Sequence, residues 1–125
     1  MRIGILTKLA DVTPRTVRFY ESIGLIPRGD REGNGQHYYT AKTLARLRKI
    51  DQLKQLGLSL AEIGDVIELY FTAGAGVRAK RRVLAMLRDR LAEVDSKLAS
   101  LEQFRAELKA NIERFERWLD QKAVH

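Results

Sequence analysis

The apolar positions of this chain fall into four short helical stripes and one long seam. Ile3, Ile5, Leu6 and Leu9 give the apolar side of a short first helix, and Ala10-Asp11-Val12 the tight connection after it. In the next stretch Val17, Tyr20 and Ile23 share a face at helical spacing. Thr13 opens that helix as N-cap, Pro14 occupies its first position, and Gly24 can close it in a left-handed conformation. Leu44, Leu47, Ile50, Leu53 and Leu56 recur every third residue in a third helix, running from a Thr40 cap to the break at Gly57. Ser59-Leu60-Ala61-Glu62 is a capping box, and Leu60, Ile63, Val66, Ile67 and Tyr70 supply the buried side of a fourth. Between the second and third helices the helical rhythm stops. Pro27, Gly29, Gly33 and Gly35 break it, and Asn34-Gly35 is a hairpin signal. Leu25-Ile26 and His37-Tyr38-Tyr39 are the expected strands of a β-wing, with an ordinary surface loop as the alternative.

From Leu84 the period changes to a heptad. Leu84, Leu87, Leu91, Val94, Leu98, Leu101, Arg105, Leu108, Ile112, Phe115 and Leu119 step alternately by three and four, and Arg105 alone is polar. No Pro or Gly interrupts the chain from Val77 onward. A helix of about 40 residues is roughly 60 Å long, more than a small head can cover. Each large apolar seam residue left in water forgoes roughly 1.5–3 kcal/mol. The seam therefore calls for a partner helix, most simply a second copy of the chain, which makes the protein a homodimer. Thr72 to Gly76 is the small-residue loop before it. These marks divide the chain into a head over 1–71, a hinge over 72–77, a dimerisation helix over 78–119 and a tail over 120–125.

Charge sharpens the picture. Residues 1–60 hold 11 Lys and Arg against 5 Asp and Glu, whereas residues 61–125 hold 12 against 11. The basic excess belongs to the head and suits a polyanion, most often nucleic acid. Cysteine is absent from the 125 residues, which closes disulfides, thiolate metal sites and cysteine nucleophiles. No signal peptide or membrane-spanning run is present, so a cytoplasmic, non-membrane protein is expected. No nucleophile–base pair, metal constellation or phosphate-cradling glycine motif points to an enzyme, a cofactor or a metal.

The stretch 13–24 carries the chemistry. Opposite its apolar face stand Arg15, Thr16, Arg18 and Phe19, with guanidinium forks, a hydroxyl and a ring suited to phosphates and major-groove base edges. A first helix, a tight turn and a capped second helix make a helix-turn-helix pattern. Arg28, Arg31 and His37 lie on or near the wing, where a ribbon can follow the DNA backbone.

Arg2-Ile3-Gly4, Arg18-Phe19-Tyr20-Glu21-Ser22-Ile23-Gly24-Leu25-Ile26 and Leu56-Gly57-Leu58-Ser59-Leu60-Ala61-Glu62-Ile63 resemble the MerR family of bacterial transcription regulators over the whole chain. The resemblance implies a mainly α fold, with a winged helix-turn-helix head followed by a long antiparallel coiled-coil dimerisation helix. It implies a cytoplasmic, nucleoid-associated homodimer on a near-palindromic operator in double-stranded promoter DNA. Such a dimer distorts the spacer between promoter elements and so controls RNA polymerase. Carried over by position, Arg18 and Tyr20 contact DNA, flanked by Thr13, Arg15, Thr16 and Phe19. Lys54 matches the basic position before the second wing, and Gln36, His37 and Tyr38 fall in the first. His37 stands where the family usually has Arg, and a neutral imidazole donates one hydrogen bond where Arg offers a fork.

The signal that such a regulator senses is less legible. Thiolate-based sensing is closed by the missing cysteines. A small organic effector can be placed between Tyr70 and Phe71 at the hinge and Phe115 and Trp118 of a partner, with plain interfacial packing as the alternative. An effector-independent architectural DNA binder and a coiled-coil adaptor with a basic head are the competing functions.

Overall fold

A computed structural model of the chain describes residues 1–31 and 37–124, with backbone only at Arg31 and Val124. Helices α1 (Ile3–Ala10) and α2 (Pro14–Ser22) are followed by two-residue strands β1 (Asp30–Arg31) and β2 (His37–Tyr38). Helices α3 (Ala41–Gln55), α4 (Leu60–Tyr70) and α5 (Gly76–Val124) complete the order. The chain divides into two units, Met1–Leu87 and Arg88–His125.

The first unit is built around one core. Leu6 from α1, Val17 from α2, Leu47 and Ile50 from α3, and Ile63 and Val66 from α4 meet there and are removed from water. Local chemistry sets the ends of these helices. The backbone N–H of Thr16 donates to Thr13 Oγ1 at 3.1 Å, and Pro14 takes the first turn, where its missing N–H costs nothing. The Ser59–Glu62 capping box is complete in both directions, at 3.2 and 2.9 Å. Gly24 and Gly57 adopt φ of 78° and 97°, so the chain leaves α2 and α3 through turns that a Cβ would strain. Thr40 is the N-cap of α3 by position, but its side chain makes no capping bond.

Several apolar positions end elsewhere than the periodicity predicts. Ile5, Leu9, Ile23 and Leu56 are exposed. Ile23 and Leu56 are the C-cap residues of their helices, where the chain has already turned off the buried face. Leu58, just past the Gly57 turn, fills the core in place of Leu56. Leu25 and Ile26 are not wing strand: both are buried in the core, and β1 forms five residues later at Asp30–Arg31. An apolar pair next to a tight turn gains more from the core than from a solvent-facing ribbon.

The first turns of α5 belong to the head. Ala79 and Val83 are buried, and Met86 and Leu87 pack half-buried against the core. Leu87, assigned by its period to the dimer seam, therefore has a neighbour within its own chain. α5 begins at Gly76 and continues to Val124, so 76–77 and 120–124 are helical where loop and tail were predicted. Nothing in Gln121-Lys122-Ala123 stops a helix. The turn between α4 and α5 is closed by bonds from Thr72 Oγ1 to the Glu68 carbonyl at 2.7 Å and from Ala75 N–H to the Thr72 carbonyl at 3.1 Å.

The second unit is α5 from Arg88 onward. Its seam residues Leu91, Val94, Leu98, Leu101, Leu108, Ile112, Phe115 and Leu119 are all exposed within this single chain. No described helix is long and apolar enough to cross a membrane.

Candidate nucleic-acid interface

Helix α2 is short, and burial of Val17 and Tyr20 fixes its rotation. The face opposite them carries Arg15, Arg18 and Phe19, all exposed. Thr16 is half-buried, and its hydroxyl lies 3.0 Å from that of Thr13, so the two threonines hold one another at the helix start. Thr13 thus acts first as a cap. Tyr20, expected to contact DNA, turns its ring inward. It is only 5 % exposed, its ring packs in the core, and its hydroxyl receives Lys54 Nζ at 3.4 Å. The exposed Lys54 ammonium stands nearer to solvent on that edge, so it is the better placed of the two to meet a phosphate.

The wing is a small antiparallel ribbon with Asp30 opposite Tyr38 and Arg31 opposite His37. Residues 32–36, which include Gln36 and the Asn34-Gly35 turn, lie outside the described residues, as does the side chain of Arg31. Arg28 and Tyr38 are exposed. The chain start lies along this ribbon: Arg2 makes an isolated antiparallel bridge to Tyr38, Tyr39 N–H donates to the Met1 carbonyl at 2.6 Å, and the Met1 ammonium donates to the Tyr39 carbonyl.

Tyr39 ties this ribbon to α2. Its ring is buried, and its hydroxyl donates to Glu21 Oε1 at 2.5 Å. Burial, and then the hydrogen bond and negative charge of Glu21, push the phenol well above its usual range; Arg18 opposes them. Gly29 lies against that ring, where an added Cβ would stand 2.9 Å from it. His37 Nδ1 is 3.0 Å from the Gly29 carbonyl oxygen. A groove bounded by Arg2, Arg18, Glu21, His37 and Tyr39 runs between α1, α2 and β2.

Periodicity does not reveal Arg2, Glu21 or Arg46 as parts of this assembly. No local spacing joins residue 2 to residue 38, or 21 to 39; a positive charge at the start of a helix is the only trace. Arg46 donates through Nε and Nη2 to the Leu25 carbonyl at 3.3 and 3.2 Å, and pairs with Glu68 Oε1 at 2.6 Å. Its guanidinium lies 5.4 Å from the centroid of Phe71. That pairing holds the Glu68 carboxyl below its usual range, first through the hydrogen bond and then through charge.

The four aromatics proposed for an effector divide between the units. Tyr70 and Phe71 belong to the first and carry Lys49 and Arg46 over their rings. Phe115 and Trp118 belong to the second, where both are exposed and Lys122 lies 5.6 Å from the Trp118 ring. Among the described residues no group of His, Cys, Asp and Glu is arranged to hold a metal ion.

A winged helix-turn-helix head with an exposed arginine face, continued by a long helix, defines a DNA-binding transcription regulator. The family model for MerR HTH regulatory proteins matches residues 1–69, and that for the MerR DNA-binding region matches residues 44–110. The chain belongs to the MerR family. It is 32% identical over 107 residues to the regulator ZntR of Escherichia coli strain K12, covering 86% of this chain and 74% of that protein. The crystal structure of PbrR691 from Ralstonia metallidurans CH34 in complex with lead(II) is similar at a TM-score of 0.69 and 32% identity, covering 86% of this chain and 82% of that one. EcmrR, solved in its DNA complex in EcmrR-RPo, is similar at a TM-score of 0.50 and 27% identity, covering 84% of this chain but 41% of its own.

Proposed function

We propose that the chain works as a homodimer that grips two half-sites of a near-palindromic operator and distorts the promoter spacer between them, thereby governing engagement by RNA polymerase. The observation that carries this is the coexistence of an exposed Arg15–Arg18–Phe19 face in one unit with an exposed heptad seam in the other. A seam of that kind is stable in water only against another helix, and pairing two chains fixes the separation of two recognition helices. Arg15 and Arg18 supply the groove contacts, and Arg2, Arg28, His37 and Lys54 supply backbone contacts whose strength falls with salt. Distorting the spacer costs of order 1–6 kcal/mol, within reach of two such heads. The EcmrR complex with DNA supports the same partners here.

The test is footprinting on the upstream region of the chain's own gene, followed by transcription in vitro from the protected promoter with its spacer varied in length. Protection over two half-sites, with output that depends on spacer length, is expected. Protection without any effect on transcription would leave an architectural DNA binder instead. Preference for RNA over duplex DNA would point to the adaptor.

A further inference from the structure

We propose that the groove between α1, α2 and β2 seats one DNA backbone phosphate, and that His37 joins this contact as an imidazolium, so that operator binding takes up a proton at each head. The inference rests on the DNA-binding function above and concerns how this one groove achieves it. A carbonyl oxygen can only accept, so the 3.0 Å approach of His37 Nδ1 to the Gly29 carbonyl places a proton on Nδ1. Neutral His37 then presents Nε2 as a bare lone pair, which repels a phosphate oxygen. Among the described residues Nε2 has no partner. Adding a proton leaves the Gly29 bond intact and turns Nε2 into a charged donor.

The Gly29 side of this contact is tightly packed. Gly29 is wedged between the Tyr39 ring and His37 Cβ, where even an added methyl would stand 2.9 and 3.0 Å from them. A side chain at this position would therefore disturb the contact that sets the His37 tautomer.

The charged surroundings favour an anion. Arg2 and Arg18 line the same groove as His37, two cations against the single carboxylate of Glu21. A phosphate between them lowers the cost of the third positive charge, which couples proton uptake to DNA binding. Glu21 also faces the groove and opposes an anion, but its Oε1 already accepts the Tyr39 hydroxyl. The Tyr39 phenol stays neutral here. The Met1 ammonium is bonded to the Tyr39 carbonyl, and Asp30 and Arg31 lie on the paired strand.

The experiment measures affinity from pH 8.0 to pH 5.5 at constant ionic strength. The probe is a duplex selected from a random-sequence pool by the wild-type protein at pH 7.5. Wild type is compared with His37→Gln and His37→Arg, which share every other titrating group. Wild-type affinity is expected to rise about tenfold per head between pH 8.0 and pH 5.5. His37→Gln should stay at the weak level and His37→Arg at the tight level at every pH. The salt slope of the wild type should steepen by about 0.9 per head at pH 5.5. A His37→Gln profile that parallels the wild type, or a flat wild-type profile, overturns the inference while leaving DNA binding standing. Failure of the wild type to select any duplex overturns both.

Discussion

Residues Met1–Leu87 and Arg88–His125 solve the same problem in opposite ways. In the first, Leu6, Val17, Ile63 and Val66 are 0% exposed, and four helices close over them. In the second, Leu98, Leu101 and Phe115 are 51%, 63% and 67% exposed, although the apolar pattern is the more regular of the two. Regularity of pattern and completeness of burial are thus separate properties. The head's irregular apolar positions are satisfied by its own chain, whereas the uniform seam needs a surface that one chain cannot supply. If the proposed pairing holds, folding of the head is independent of chain concentration and ordering of the far helix is not.

The largest expected effect breaks the contrast at the seam. Leu98→Asp with Leu108→Asp removes four seam leucines from a pair of chains, at a cost of roughly 6 kcal/mol or more at 1.5–3 kcal/mol each. Sedimentation velocity should report the mass of one chain, with the head still showing dispersed amide resonances. An unchanged dimer mass would mean that the seam is covered by something else.

The next effect sharpens the contrast inside the head. Ile63→Ala empties a fully buried site on α4 and should cost about 2–5 kcal/mol in denaturant unfolding. The cost should be the same in the monomeric double variant as in the parent. A loss that vanished in the monomer would show that the head core relies on pairing after all.

The smallest concerns the tie between wing and recognition helix. The raised Tyr39 pKa means its contribution is complete below the unfolded phenol value of about 10 and is lost as pH climbs toward the folded value. Tyr39→Phe should therefore cost about 1 kcal/mol at neutral pH. The gap between the two proteins should narrow above about pH 10, as followed by thermal melts. A constant gap would remove the Glu21 bond from the account.

What could be read from the sequence follows the range of the forces involved. The Thr13 cap, the Ser59–Glu62 box and the turns at Gly24 and Gly57 are set by residues within four positions of one another, and each stands where its residues indicate. The wing register was not legible. Leu25 and Ile26 suit a strand and a core plug equally, and only the space beside α3 and α4 decides between them. The inward turn of the Tyr20 ring is legible in its helical spacing with Val17. Arg46 and the bridge from Arg2 to Tyr38 join residues far apart in the chain, and no local spacing in a single sequence encodes such pairings.

One side chain gives the head a mechanical property. Arg46 clasps the Leu25 carbonyl, just past the recognition helix, and with the same guanidinium reaches Glu68 and Phe71 beside the last turn before α5. It is a tie-rod. A tug on that turn must either drag the base of the reading helix along or snap every strand of the clasp together.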